Sequence, residues 1–324
     1  MALAILRTAL AAAAVMLVGG VQAQELVRLG NLGMSHFGAL SYIKEIAPKC
    51  GIRVDEKSYA QGAELMAAIV AGELDVGATA SSTAIVGRTR GAPIFVVAGF
   101  AKGGLRLVAR PGQHIRNLQG LKGKKVGVAQ GGIEEVLLAA SLQDAGMATG
   151  SAPGRDVQLV YLAPDALNQA LASKKIDAML QAEPQASQAI IKGEGVEVLR
   201  PYETPVGEPV RVLFMTEAFY HRKRALAEKF MHCFVEATRH FIADPALAER
   251  YARSELFHGQ LSRAEFREAS ANFPYALDVS ARHIQVTTDT MLRTGLAPAG
   301  KLPLAREWVR TDLLEAAKKS LAVK

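Results

Sequence analysis

Three hydroxyls stand in a row at Ser81-Ser82-Thr83, between the short apolar segment "DVGATA" and a helix-like run that closes at Gly91-Ala92-Pro93. A helix start uses one capping oxygen. A cap therefore accounts for one of the three and leaves the others as polar surface or as donors to a ligand. The same kind of junction, a strand end meeting a helix start, recurs at Gly33-Met34-Ser35-His36, Tyr59-Ala60-Gln61-Gly62, Gly131-Gly132-Ile133-Glu134 and Glu183-Pro184. Unpaired N–H groups and the positive end of the helix dipole make such junctions attract carboxylate, sulfonate or phosphate. In an open parallel sheet they also lie beyond the carboxyl ends of the strands, where ligands sit.

Two carboxylates qualify that attraction. Glu134, followed by Glu135, falls in a first helical turn, where an acid is stabilising through the dipole; Glu183 follows the strand "IDAMLQA". Each either caps neighbouring backbone or faces the cleft. In the second case it repels a purely anionic ligand and calls for an amino or other donor group on that side. His36 either donates to a ligand or packs at its helix start, while Phe37, Tyr59 and Phe100 offer apolar walls. With aromatics at 6 % and Trp308 in the last helix, a sugar site of stacked rings is disfavoured. Gly131-Gly132 lacks the spacing of a dinucleotide or P-loop fingerprint, and no nucleophile elbow or metalloprotease pair is present. Without paired Cys/His spacing, neither a metal nor any other cofactor is called for.

These residues must be held by alternating elements. "LVRLGNL", "IRVDEKSYA", "DVGATA" and "APIFVVAGF" read as strands, and "SHFGALSYIKEIAPKCG", "GAELMAAIVAGE" and "STAIVGRTRG" as the helices between them. A second series begins near Leu118 with "KKVGVAQGGIEEVLLAASLQDAGM" and continues through "DVQLVYLA", "PDALNQALASKK", "IDAMLQAE" and "PQASQAIIKG". Such alternation implies an α/β fold of parallel βαβ units. "AGELDVG" and "SKKIDAM" occupy equivalent places, each setting an aspartate, Asp75 or Asp177, at the entry of a short buried strand. The chain therefore reads as two variations on one unit. "VRVLFMTEAFY" then returns as a strand toward the first lobe, followed by C-terminal helices with core-facing stripes such as Leu226, Phe230, Phe234 and Phe241.

Residues 1–23 have the layout of a secretory signal: Arg7, an apolar run too short to span a bilayer, and Val21-Gln22-Ala23 as the cleavage site. Cleavage after Ala23 leaves about 300 residues, enough for two lobes. The formal charge of the whole chain is +7. Removing Arg7 leaves a basic excess dispersed in small groups such as "HRKR", which argues against nucleic acid as a partner and favours arrival of small anions. Cys50 and Cys233 enter a compartment where thiols oxidise; their spacing neither joins nor separates them, and a buried free thiol is the commoner state in apolar helical context.

Taken in order, "GAELMAAIVAGELDVGATASSTAIVGRTRGAPIFVVAGF", "LKGKKVGVAQGGIEEVLLAASLQDAGM" and "LNQALASKKIDAMLQAEPQASQAI" resemble the nitrate/sulfonate/taurine/thiamine-precursor family of ABC-transporter substrate-binding proteins. The resemblance runs from about Leu26 to about Ala248. It implies a type II periplasmic-binding-protein fold: two doubly wound lobes joined by a two-strand hinge, with extra C-terminal helices. Lobe 1 is expected over 24–111 and 206–324, and lobe 2 over 112–205. It further implies that Ser81, Ser82 and Thr83 line the first-lobe pocket with Gly33, Ser35, His36 and Gln61 around them. Gly132, Ile133 and Glu134 close from the second lobe, with Glu183 beside them. The family often has serine or threonine where this chain has Ile133-Glu134, which turns the expectation away from an inorganic oxyanion or a simple alkanesulfonate. The cysteine-rich stretch of the members that make a thiamine precursor is absent.

The leading expectation is a monomeric periplasmic receptor, not an enzyme, that encloses a small organic acid and presents it to an inner-membrane ABC permease. A same-fold lyase or dehydratase using Glu134, His36 or Glu183 as acid or base is the second class, and a ligand-sensing module for a membrane receptor the third.

Overall fold

The computed structural model describes residues 24–322, so the expected signal segment lies outside the described residues. Along the chain, β1 (Glu25–Leu32), α1 (Gly38–Ile46), β2 (Ile52–Tyr59), α2 (Gly62–Val70), β3 (Val76–Ala80), α3 (Ser81–Thr89) and β4 (Ile94–Lys102) follow one another in the alternation read above. Next come β5 (Leu105–Ala109), β6 (Lys125–Val128), α4 (Ile133–Asp144), β7 (Thr149–Gly150), β8 (Val157–Tyr161), α5 (Leu167–Ala172), β9 (Ala178–Ala182), α6 (Gln185–Ile191) and β10 (Val196–Leu199). β11 (Val210–Thr216), α7 (Glu217–Arg222), α8 (Arg224–Ala243), α9 (Pro245–Tyr251), α10 (Arg263–Ser270), α11 (Ala281–Arg293) and α12 (Asp312–Ala322) complete the chain.

The strands form two sheets, ordered β2-β1-β3-β11-β4 and β10-β5-β9-β6-β8-β7. β1 runs parallel to β2 and β3, and β6 parallel to β8 and β9, as the βαβ reading requires. Strands inside the sheets, such as β3 and β11, are buried at every residue and read as apolar runs, while edge strand β2, buried only at Ile52, mostly alternates exposed with half-buried positions. The short β5 and β10, for which the sequence offers no clear pattern, pair antiparallel and complete the second sheet.

The chain changes sheet between β4 and β5, at Gly103-Gly104, and returns between β10 and β11. β5 thus already belongs to the second sheet, upstream of the boundary expected at 111. Both glycines take positive φ, and a Cβ on Gly103 would meet the Asn272 carbonyl oxygen at 2.9 Å. The two crossing segments are tied where Gly103 N–H donates to the Pro209 carbonyl at 3.0 Å.

The internal repeat is visible atom by atom. The Asp75 N–H donates to the Arg28 carbonyl, and its carboxylate accepts from the Arg28 N–H; Asp177 does the same with the Lys125 carbonyl and N–H. Each carboxylate also holds an arginine, Arg28 on Asp75 at 2.9 Å and Arg110 on Asp177 at 3.1 Å. Burial alone pushes the Asp75 carboxyl up, but the Arg28 bonds outweigh it and hold it below the usual range.

Helix α8 lays its stripe of Leu226, Phe230, Phe234 and Phe241, all buried, into the first-lobe core. It packs on α1 and on the turn Ala47–Cys50. That packing brings Cys50 to Cys233 with Cα atoms 6.0 Å apart, and the two form a disulfide rather than free thiols. Helices α10 and α11 each touch both lobes. α10 packs on α6 and on the turn Ser35–Phe37, and α11 packs on α3 and α4, with Arg293 paired to Asp144 at the end of α4.

Candidate ligand site

Between the two sheets lies a cavity of about 1090 Å³. Its first-lobe wall comes from the end of β1 (Leu32), the turn after it (Met34, Phe37), the end of β3 (Thr79, Ala80), and the facing sides of α2 and α3. Its second-lobe wall comes from Ala129, Gln130, Gly131 and Gly132 before α4, Glu134 in its first turn, Tyr161 to Pro164 after β8, and Gln181 at the end of β9. Leu296 and Pro298, just beyond α11, close one side.

Of the residues expected at the site, Gln61, Thr83, Gly132 and Glu134 line this cavity. Ser35, His36, Ser81 and Ser82, chain neighbours of the lining residues Met34, Phe37, Ala80 and Thr83, are completely buried off the wall, and none of their side-chain polar atoms has a hydrogen-bond partner among the described residues. Helix α3 begins with Ala80 as its cap and no side-chain capping bond, so not one hydroxyl of the Ser-Ser-Thr run serves as the expected cap. Three expectations are corrected. Ile133 turns into the second-lobe core and is fully buried away from the cavity. Gly33 is exposed but lies off the cavity wall. Glu183 does not face the cleft: its carboxylate accepts from Ser187 Oγ at 2.7 Å and Ser187 N–H at 3.0 Å, and stands 2.7 Å from Arg106 Nε.

The Glu183 carboxylate belongs to a network at the change of sheet. Arg106, itself fully buried on β5, also binds Glu197 at 2.8 Å and Glu268 of α10 at 2.9 Å. Burial pushes the Glu183 carboxyl up, and Arg106 with Ser187 offsets this only in part. Glu135 likewise follows the bland reading, since it accepts from the Gly131 N–H at 2.6 Å and from Tyr161 Oη at 2.7 Å and so pins the glycine turn. Burial and this carboxylate push the Tyr161 hydroxyl up to about 12.

The residue the sequence reading missed is Arg211. It sits on β11 beside Ala80 in the first sheet, lines the cavity, and is 4 % exposed. Its Nε and Nη2 are buried without a hydrogen-bond partner. Its nearest counter-charge is Glu134 across the cleft at 3.6 Å, too long for a hydrogen bond. Buried charged donors without acceptors are costly. The orphaned guanidinium thus stands in register with Ala80, the residue that precedes the orphaned hydroxyls of Ser81 and Ser82 and the N–H groups of α3's first turn, an arrangement suited to an anion. A lone arginine inside the apolar run "VRVLFMT" was the signal available in the sequence.

His36 belongs to the same spot. Its ring lies among Phe37, Phe100 and Phe273 at centroid distances of 4.7, 6.4 and 5.8 Å. Burial, and then the nearby Arg211 charge, hold its pKa well below the usual value, while the Glu183 carbonyl raises it slightly; the imidazole is neutral at pH 7. As pH falls below about 6.5 the unfolded chain takes up a proton that the native state refuses, so native stability falls in that range. The melting temperature of the unliganded protein is expected to drop between pH 7 and 5, and His36→Asn to flatten that slope. An unchanged slope in the variant contradicts a buried neutral His36.

Two α/β lobes with a double crossing and a cleft between the strand ends define the type II periplasmic-binding class of proteins. Solved structures of that class superpose over most of the chain. The alkanesulfonate-binding protein SsuA of Xanthomonas axonopodis pv. citri, bound to MOPS, matches with a TM-score of 0.73 at 18 % identity, covering 88 % of this chain and 98 % of that one. The nitrate-binding protein NrtA of Synechocystis PCC 6803 matches with a TM-score of 0.77 at 16 % identity, covering 93 % and 90 %. Within this class the chain belongs to the NMT1-like family, whose model matches residues 25–254. A protein of Brucella abortus (strain 2308) named as a binding protein is 31 % identical over 142 residues, 43 % of this chain. The match spans 41 % of that relative's length.

Proposed function

We propose that this protein is an exported solute-binding receptor that captures a small organic acid, a carboxylate or sulfonate, between its lobes and delivers it to an ABC importer. The observation that carries the reading is Arg211, a cavity-lining guanidinium with buried, unpartnered donors beside the start of α3. The binding-protein fold, the family and the names of the relatives support it. On this reading the lobes are hinged at the two crossing segments, and a ligand touching both walls shifts the equilibrium toward closure. On the same reading residues 1–23 direct export to the periplasm, where the receptor acts as a monomer and faces an inner-membrane permease. Glu134, facing Arg211, disfavours a bare inorganic oxyanion and favours an organic ligand whose acidic group engages Arg211 while its remainder meets the second lobe.

Calorimetry of the purified protein against carboxylates, sulfonates and their neutral amide or alcohol counterparts tests this. Acids are expected to bind and the neutral counterparts to fail. Equal binding of both overturns the acidic-head reading. Turnover of a bound acid, lost in Glu134→Gln while binding survives, would instead favour an enzyme.

A further inference from the structure

We propose that the ligand is an amphiphilic anion whose unbranched apolar chain, about ten carbons long, lies in a groove between α2 and α3 with its acidic head at Arg211. This rests on the receptor reading and adds to it a second subsite, on the first lobe alone; it departs from the sequence expectation against a simple alkanesulfonate, since Ile133, one of the two residues behind that expectation, is buried off the cavity. The cavity does not end at the strand tips. It continues along the two helices, where Ala63, Met66, Ala67 and Val70 line it from α2, and Val86 and Gly87 from α3. Spacings of three and four place the α2 set on one helix face, and Thr83 and Arg90 complete such a face with Val86 and Gly87 on α3.

Both helices start at the carboxyl edge of the first sheet, α3 next to Arg211 and α2 against Thr79 and Thr83, and run away from it. Gln61, Thr79 and Thr83 surround the head end; beyond them the α2 face offers only methyl, thioether and isopropyl groups, while on the α3 side the exposed Arg90 stands at the far end. From Ala63 to Ala71, both on the wall, α2 spans about 12 Å at 1.5 Å per residue, which sets the chain length. Val70, at the far end, is 64 % exposed, an apolar side chain with no protein cover.

Met66 packs onto Gly87, where a Cβ would fall 1.9 Å from Met66 Cε, so the flexible Met66 side chain fills the space between the two helices and forms an adaptable floor. A small polar acid would occupy the head end of a 1090 Å³ cavity and leave this apolar length uncovered. The unpartnered Arg211 donors, in the same cavity, make the occupant an anion rather than a neutral apolar molecule.

The test is calorimetry of the full-length mature protein with unbranched carboxylates from acetate to dodecanoate, repeated with the matching 1-alkanesulfonates. Affinity is expected to rise about fourfold per buried methylene until the chain reaches the far end of the groove, and then to level off. Ala67 and Val70 are exposed, so substitution there spares the fold, which the melting temperature checks. Ala67→Phe is expected to remove the gain of the long members and leave the shortest within about twofold, in line with its place midway along α2. Val70→Asp is expected to weaken only the longest. Affinity that depends on Arg211 but not on chain length overturns the groove and leaves the receptor reading standing, as does an Ala67→Phe loss equal for short and long members. Failure of every acid in both series overturns the two together.

Discussion

Replacing Arg211 by methionine is expected to cost ligand binding at least about 2 kcal/mol, roughly thirtyfold in affinity, while the melting temperature of the unliganded protein holds or rises. The two halves of this expectation come from one fact. Arg211 is 4 % exposed, and its Nε and Nη2 have no acceptor among the described residues. In the empty receptor the guanidinium is a desolvated charge repaid only by Glu134 at 3.6 Å. An apolar side chain of similar length removes that penalty, whereas in the complex it removes the partner of the ligand's acid. Arg211→Lys retains the charge but not the planar fork, and is expected to recover only part of the affinity. A purely structural arginine behaves the other way, with its loss lowering stability and leaving affinity untouched. Ligand titration and thermal denaturation of the same variants separate the two.

Breaking the Cys50–Cys233 bridge is the second large effect. The bridge joins residues 183 apart, so its removal frees a long loop in the unfolded chain and is expected to lower stability by about 3 to 5 kcal/mol. Neither cysteine lines the cavity, so a Cys50→Ala/Cys233→Ala double variant is expected to bind its ligand normally at temperatures where it stays folded. Chemical denaturation of the variant and the oxidised protein checks the first part. Superimposable unfolding curves would show that the bridge adds nothing.

Much of the frame was legible because the signals are local. Apolar runs bounded by glycine and polar turns marked the inner strands, and the matched placement of Asp75 and Asp177 exposed the repeat that the hydrogen bonds then display. The Ser81-Ser82-Thr83 run carries more hydroxyls than a cap needs, but the local pattern could not show that Ala80 takes the cap position and that the helix uses none of them. What was not legible depends on packing between distant segments. Whether Cys50 meets Cys233 is decided by how α8 lies on α1. Glu183 and Glu134 occupy similar positions at strand-to-helix junctions, yet Glu183 is claimed by Arg106 from the next strand while Glu134 is left facing the cleft. Arg211 stands far along the chain from every junction that pointed to a ligand, and only the antiparallel insertion of β11 beside β3 carries it there.

The central claim is that an acidic group lies against Arg211 with the hydroxyls of the α3 start around it. A crystal structure of the protein with a bound ligand, either retained from its expression host or added from the acid series, tests this most directly. The account predicts carboxylate or sulfonate oxygens within hydrogen-bond distance of Arg211 Nε or Nη2, with Glu134 displaced from its present approach. An ordered ligand in the cleft with no acidic oxygen near Arg211 would contradict it.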